Sequence, residues 1–371
     1  MHRRTFTAAG TAVAAVLTLT LSGCGLGGPA GKAVEAASAE RTATAVPEAS
    51  AAPGPATRKP DGTKSPSATA SPSPAGSPSD AEALAILARV DISAATPSGG
   101  LDEAAAAKLL ADPMLSLVKA SWRLAKPRFR LDGPLIGTLR SPEVLRPAPA
   151  PGGDNWFAVS GRDSDGTEIF AVFRKTAAEP VWKLAMLSHV QEGLILPGIR
   201  KDKGTAETID AAAGGSGLAA DPAGTCAALI EQRGARRLEP GQWGPNLLDE
   251  ESKIAEYIAE ERSQGLSNEL TVKPRTDAVG PVWRTTDGGA LVPCVRENRW
   301  KVNVRPGYGA IVQEGKSRYL DDVPGEKITG WVDTNISMDF IHIPPSGNTV
   351  SKPDIMAGVT YPLDYSSTPA R

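Results

Sequence analysis

Trp156-Phe157-Ala158-Val159-Ser160, the pair Asp165-Gly166, the run 167–173 with Ile169, Ala171 and Phe173, and Val181-Trp182-Lys183-Leu184-Ala185-Met186-Leu187 form the stretch that decides the fold. Alternation with period two puts successive side chains on opposite faces of a strand, and Asp-Gly supplies the positive φ that a tight hairpin needs. Strands joined this closely predict an antiparallel meander. Upstream the period changes. Leu84, Ile86, Leu87 and Ala88 recur at helical spacing, with Asp80 as the expected N-cap. A second helix is expected over 101–114, with Asp102-Glu103 in its first turn, and a third over 115–125. Helices followed by a meander define an α+β arrangement.

Downstream the same plan recurs. Helices are expected over 223–233 and 249–261, the latter with Ile254, Tyr257 and Ile258 on one face and Gly265 as a stop. Then come Val282-Trp283-Arg284-Thr285, the turn Asp287-Gly288-Gly289, and strands over 290–295 and 300–304. The order Trp156, Asp165-Gly166, Phe173-Arg174, Trp182-Lys183 parallels Trp283, Asp287-Gly288, Val295-Arg296, Trp300-Lys301, although the spacings differ. The expected fold is therefore α+β, with two tandem helix-plus-meander rolls over 80–205 and 206–371.

Phe157-Ala158-Val159, Asp165-Gly166, Ala171-Val172-Phe173-Arg174-Lys175 and Val181-Trp182-Lys183-Leu184, coming after helices, resemble the cystatin-like and nuclear-transport-factor-2-like α+β roll. With Leu21-Ser22-Gly23-Cys24 closing an apolar leader at the N-terminus and Ile195-Leu196-Pro197 linking onward to the second unit, the chain is similar to actinobacterial lipoproteins of uncharacterised function. The resemblance implies a curved sheet that can form a cone-shaped pocket; its motifs are framework residues and carry no catalytic set.

Residues 1–24 open with His2, Arg3 and Arg4, continue through an apolar stretch over 8–21, and close on Leu21-Ser22-Gly23-Cys24. That order is a secretory leader, and the stretch is shorter and more Ala-, Gly- and Thr-rich than a spanning helix of about 20 apolar residues. Leu-Ser-Gly-Cys resembles the bacterial lipobox, which implies lipidation of Cys24 and a mature chain anchored at the outer face of the cell membrane. Arg3-Arg4 suits either ordinary leader charge or a twin-arginine signal. Residues 25–79 are dominated by Ala, Pro, Ser, Thr and Gly, without an aromatic residue, so they lack the apolar surface to offset the entropy of ordering. A disordered tether of about 55 residues reaches roughly 40 Å on average, and about 170 Å if extended.

Lys plus Arg number 40 against 42 Asp plus Glu, a formal net charge of -2, so no basic excess points to nucleic acid. With Cys24 lipidated, Cys226 and Cys294 remain, in a compartment where disulfides persist. The expectation is a bridge between them, the alternative being two separate buried thiols. Two cysteines without a nearby histidine fall short of a zinc shell, and no metal or cofactor is expected.

Nucleophilic hydrolysis needs a base beside its nucleophile. After the leader only His189 and His342 exist. Ser188 adjoins His189, but neighbours on a strand face opposite ways. His342 shares a strand face with Phe340 and reads as a structural histidine. Gly315-Lys316-Ser317 lacks the first glycine of a phosphate-binding loop, which here is Ala310. Asp163-Ser164-Asp165-Gly166 with Glu168 is short of a full calcium loop and reads as a hairpin turn. The tryptophans Trp122, Trp156, Trp182, Trp243, Trp283, Trp300 and Trp331 read mostly as core. The expected function is accordingly non-enzymatic: a tethered module pair that binds an envelope protein, a peptide or a cell-wall component. A small-molecule carrier or enzyme using a roll pocket is the alternative, and a structural role in envelope assembly a third.

Overall fold

The structure is a computed structural model that describes residues 76–125, 130–148, 154–210, 217–275, 280–312, 327–348 and 351–370. Cys24, the leader, most of the linker and Gly315-Lys316-Ser317 lie outside the described residues. Three helices open the fold: α1 (Asp80–Ala88), α2 (Glu103–Leu109) and α3 (Met114–Leu124). The N-cap of α1 is Ser79, one residue before the expected Asp80. Its hydroxyl accepts from the Glu82 N–H at 3.3 Å, while the Glu82 carboxylate accepts from the Ser79 N–H at 2.7 Å, a reciprocal capping box. The helix expected over 101–114 is shorter at its far end. Leu110 turns extended, and Asp112 precedes Pro113, whose ring disfavours helical geometry in the residue before it.

The first meander comprises β1 (Arg140–Leu145), β2 (Asn155–Arg162), β3 (Glu168–Lys175) and β4 (Lys183–Val190), paired antiparallel in that order. The β2–β3 turn is the expected hairpin: Asp163 Oδ1 accepts from the N–H groups of Asp165 and Thr167, both at 2.9 Å, and Gly166 has φ +85°. A small hairpin of β5 (Lys201–Asp202) and β6 (Thr205–Ala206) follows. Ala206 bridges Pro147, and two residues later β7 (Thr208–Ile209) pairs with β9 (Val282–Arg284). The chain thus passes from one half to the other at Glu207.

The second half begins with α4 (Pro222–Gly234) and α5 (Pro245–Ser263), then β8 (Leu266–Pro274), β9, β10 (Ala290–Val304), β11 (Ile311–Val312), β12 (Lys327–Ile343) and β13 (Asp354–Pro369). The strands expected over 290–295 and 300–304 are one continuous β10. Trp300-Lys301 therefore extends the strand of Val295-Arg296, whereas Trp182-Lys183 opens a new strand, so that part of the parallel between the halves fails. By sheet position the correspondence is different. The order runs β1-β2-β3-β4-β13-β12-β10, with β8 and β9 both pairing the far edge of β10 at different registers. The last strand of each meander, β4 or β13, lies at the centre, and the two pair there through Ala357 with Val190 and Gly358 with His189.

One sheet therefore spans the expected boundary at 205, and the described residues of both halves fall in one compact unit. The sheet also packs on itself. Phe170 of β3 meets Phe340 of β12 edge-on at 4.8 Å and Trp283 of β9 at 6.2 Å, and the Ser188 hydroxyl donates to Met338 O at 2.9 Å. These side chains belong to one hydrophobic core that joins the halves. A smaller core lies on the other face of β10 and β12, where Leu229, Ile230 and Leu247 cover Val292, Ile341 and Ile355.

Candidate functional site

Two places gather chemistry among the described residues. The first is an open groove of about 700 Å³ between α1, α2 and the β3–β4 hairpin, beside the point where Gly76, Ser77 and Pro78 lead into the fold. Its apolar lining includes Ile86, Val90, Leu109, Val181 and Trp182, and Val181 is 58% exposed. Trp182 is held by an edge-on contact to Phe157 at 4.9 Å and by Lys175 Nζ, 4.8 Å above its ring. Arg89, Lys108 and Lys175 supply positive charge; the one carboxylate, Glu82, is engaged by the Ser79 cap. Lys183 and Glu179, on the hairpin beside the groove, neutralise each other at 2.8 Å.

The second place is the layer between α5 and the sheet. The inward face of α5 carries Leu247, Glu250, Glu251, Ile254, Tyr257 and Glu261, spacing that keeps all six on one side of a helix. Charge on this face is matched from below. Arg296 of β10 pairs with Asp339 of β12, both buried, and Arg233 of α4 reaches Glu250 at 2.8 Å. Arg236 reaches Glu251 at 3.0 Å. Burial opposes ionisation of Glu250, but Arg233 and Arg296 outweigh it and hold the carboxyl below its ordinary range. At the far end the Tyr257 hydroxyl donates to Glu261. Burial, then the charges of Glu261 and Asp333, push the Tyr257 phenol well above its usual value.

The N-terminus of α5 is also held from a distance. Gly244 has no capping side chain, so Asp354 of β13 accepts from Asn246 N at 3.0 Å and Leu247 N at 2.9 Å. A Cβ on Gly244 would collide with the Asp354 carboxylate, which ties this helix start to glycine. Nearby, the sulfurs of Cys226 on α4 and Cys294 on β10 stand at disulfide distance, 2.08 Å, with Cα atoms 5.4 Å apart.

Ser188 and His189 do not form a dyad. The hydroxyl is buried and engaged with Met338, and the imidazole lies on the opposite face of β4. His342 sits on the face of Phe340 and stands 3.1 Å from Asp287 Oδ2 in the β9–β10 turn. His189 has a measurable signature. Burial lowers its pKa below 6.5, with Asp163 opposing. The unfolded chain then binds more protons than the folded one between the depressed value and 6.5, so stability falls as pH drops through that window. His189→Gln is expected to flatten this limb of the stability profile, read by urea denaturation between about pH 5 and 7. An unchanged slope would refute the assignment.

The meeting of Arg233, Arg296 and Asp339 is not legible in the sequence, because charged residues spaced along a chain look like a solvated face. The faint signal was Arg296 and Asp339 each set within apolar strand sequence. No helix among the described residues is long and apolar enough to cross a membrane.

A family profile matches residues 79–357, a domain of unknown function designated DUF8094, and the chain belongs to that family. The match starts at the Ser79 cap and runs through both halves into β13, ending at Ala357, where β13 meets β4. No curated protein and no solved structure matches the chain.

Proposed function

We propose that this chain is a non-enzymatic binding module, lipid-anchored through Cys24 at the outer face of the cell membrane, and that its groove takes an extended acidic segment of an envelope protein. The observation that carries this reading is the groove itself: an apolar strip of Ile86, Val181 and Trp182 flanked by Arg89, Lys108 and Lys175, with its one carboxylate engaged elsewhere. Apolar contact supplies affinity at the centre of such a surface, and the flanking charge selects the partner and speeds encounter. Two tandem rolls, fused edge to edge through β4 and β13, would account for the recurring order of helices and meander.

The test is a photo-crosslinker at Val181 in the full-length membrane-bound protein. It is expected to capture an acidic envelope protein, and Lys108→Glu should weaken the complex about tenfold, near 1.4 kcal/mol. Absence of a specific crosslink, or indifference to the charge reversal, would count against the groove. The second reading, a small-molecule carrier or enzyme, rests on the approach of Tyr257, Glu261 and Asp333 beneath α5. Turnover of a small molecule, abolished by Tyr257→Phe, would favour it.

A further inference from the structure

Paired strands place two rows of side chains under the C-terminal half of α5. One row is Leu270, Trp300, Asp333 and Tyr365; the next is Asn268, Val302, Trp331 and Ser367. Directly paired residues share a face of a sheet, and this is the face of Arg296 and Cys294, toward α4 and α5. Tyr257 and Glu261 come down on it from the helix. Trp300, Trp331 and Tyr365 are only half-buried although they lie on the helix side, so α5 leaves part of their surface to solvent. Beside them, the amide nitrogen and the amide oxygen of Asn268 are both buried, and neither has a hydrogen-bond partner. Leaving a donor and an acceptor unsatisfied in the interior costs stability, and such groups are rare unless a ligand or another function requires them.

We propose that this face of the sheet, beside the C-terminal end of α5, binds a carbohydrate. A sugar ring presents an apolar C–H face, which stacks on exposed Trp or Tyr rings, and an edge of hydroxyls, each both donor and acceptor. The Asn268 amide, which also donates and accepts, matches that edge. A quaternary amine would suit the aromatic and acidic groups but would leave the Asn268 N–H without an acceptor, so the amide selects the sugar. The site is separate from the groove at the root of the tether, and either can fail without the other.

The experiment is titration of the full chain with a linear trisaccharide of N-acetylglucosamine and with maltotriose, followed by tryptophan fluorescence and saturation-transfer NMR. Saturable binding of at least one is expected, weakened about tenfold by Trp331→Ala and by Asn268→Leu, and unaffected by Lys108→Glu in the groove. Asn268→Leu removes a buried unpaired amide and should fold at least as well as the parent, so it keeps the test clear if Trp331→Ala unfolds. The proposal is overturned if the folded parent binds neither sugar, if choline binds and the sugars do not, or if Asn268→Leu leaves sugar binding unchanged.

Discussion

Replacing Arg296 with Met is expected to destabilise the protein by about 3–5 kcal/mol, because it strands a buried carboxylate without its partner. Arg296 is 2% exposed and Asp339 4% exposed, and the two lie on adjacent strands beneath α5. Arg233 and Glu250 are tied to the same cluster, so the loss should spread to the contact between α4 and α5. The companion variant Arg296→Met with Asp339→Leu removes both charges and should recover most of the stability, since apolar replacement of a complete buried pair is often neutral. Urea unfolding of the single and double variants measures both values. Equal stability of Arg296→Met and parent would mean that water reaches the pair and screens it.

The second large effect concerns Cys226 and Cys294, 68 residues apart in sequence. Cross-linking ends that far apart restricts the unfolded chain, and the chain-entropy estimate is about 4 kcal/mol. Cys226→Ala with Cys294→Ala should therefore lower stability by about that amount. Reductant should lower the parent to the level of the double variant and leave the variant where it was. A parent insensitive to reductant, and no more stable than the variant, would remove the bridge from the account. Because the main core runs through both halves, unfolding in either experiment should be a single transition in which the signals of Trp182 and Trp283 change together.

Local chemistry made much of the first half readable. The Asp165-Gly166 hairpin follows from a positive φ at glycine and from Asp163 closing on the amides of Asp165 and Thr167, all within five residues. The alternating runs around Phe157, Ala171 and Leu184 pointed to β2, β3 and β4, and the helical spacing of Ile254, Tyr257 and Ile258 pointed to α5. β13 was not readable. It contains Gly358 and Pro362, breaks register near both, and takes its place at the centre of the sheet only because β12 and β4 hold its edges. β8 was hidden in the same way, since Ser267, Glu269 and Lys273 face solvent and its pairing to β10 supplies the order.

The candidate sites divide along the same line. Cys226 and Cys294 could be proposed as partners by elimination, whereas the groove needs α1, α2 and the β3–β4 hairpin side by side, and the surroundings of Asn268 need four strands in register beneath a helix. By itself the sequence determined what depends on near neighbours: the Asp165-Gly166 turn, the helical segments, the meander period, and the family through residues 79–357. The tertiary structure alone decided the joining of β4 to β13, the meeting of Arg233, Arg296, Glu250 and Asp339, and the stranding of the Asn268 amide. Those depend on groups brought together from distant parts of the chain, where packing and burial, and not local propensity, decide which charges pair and which polar atoms are left without a partner.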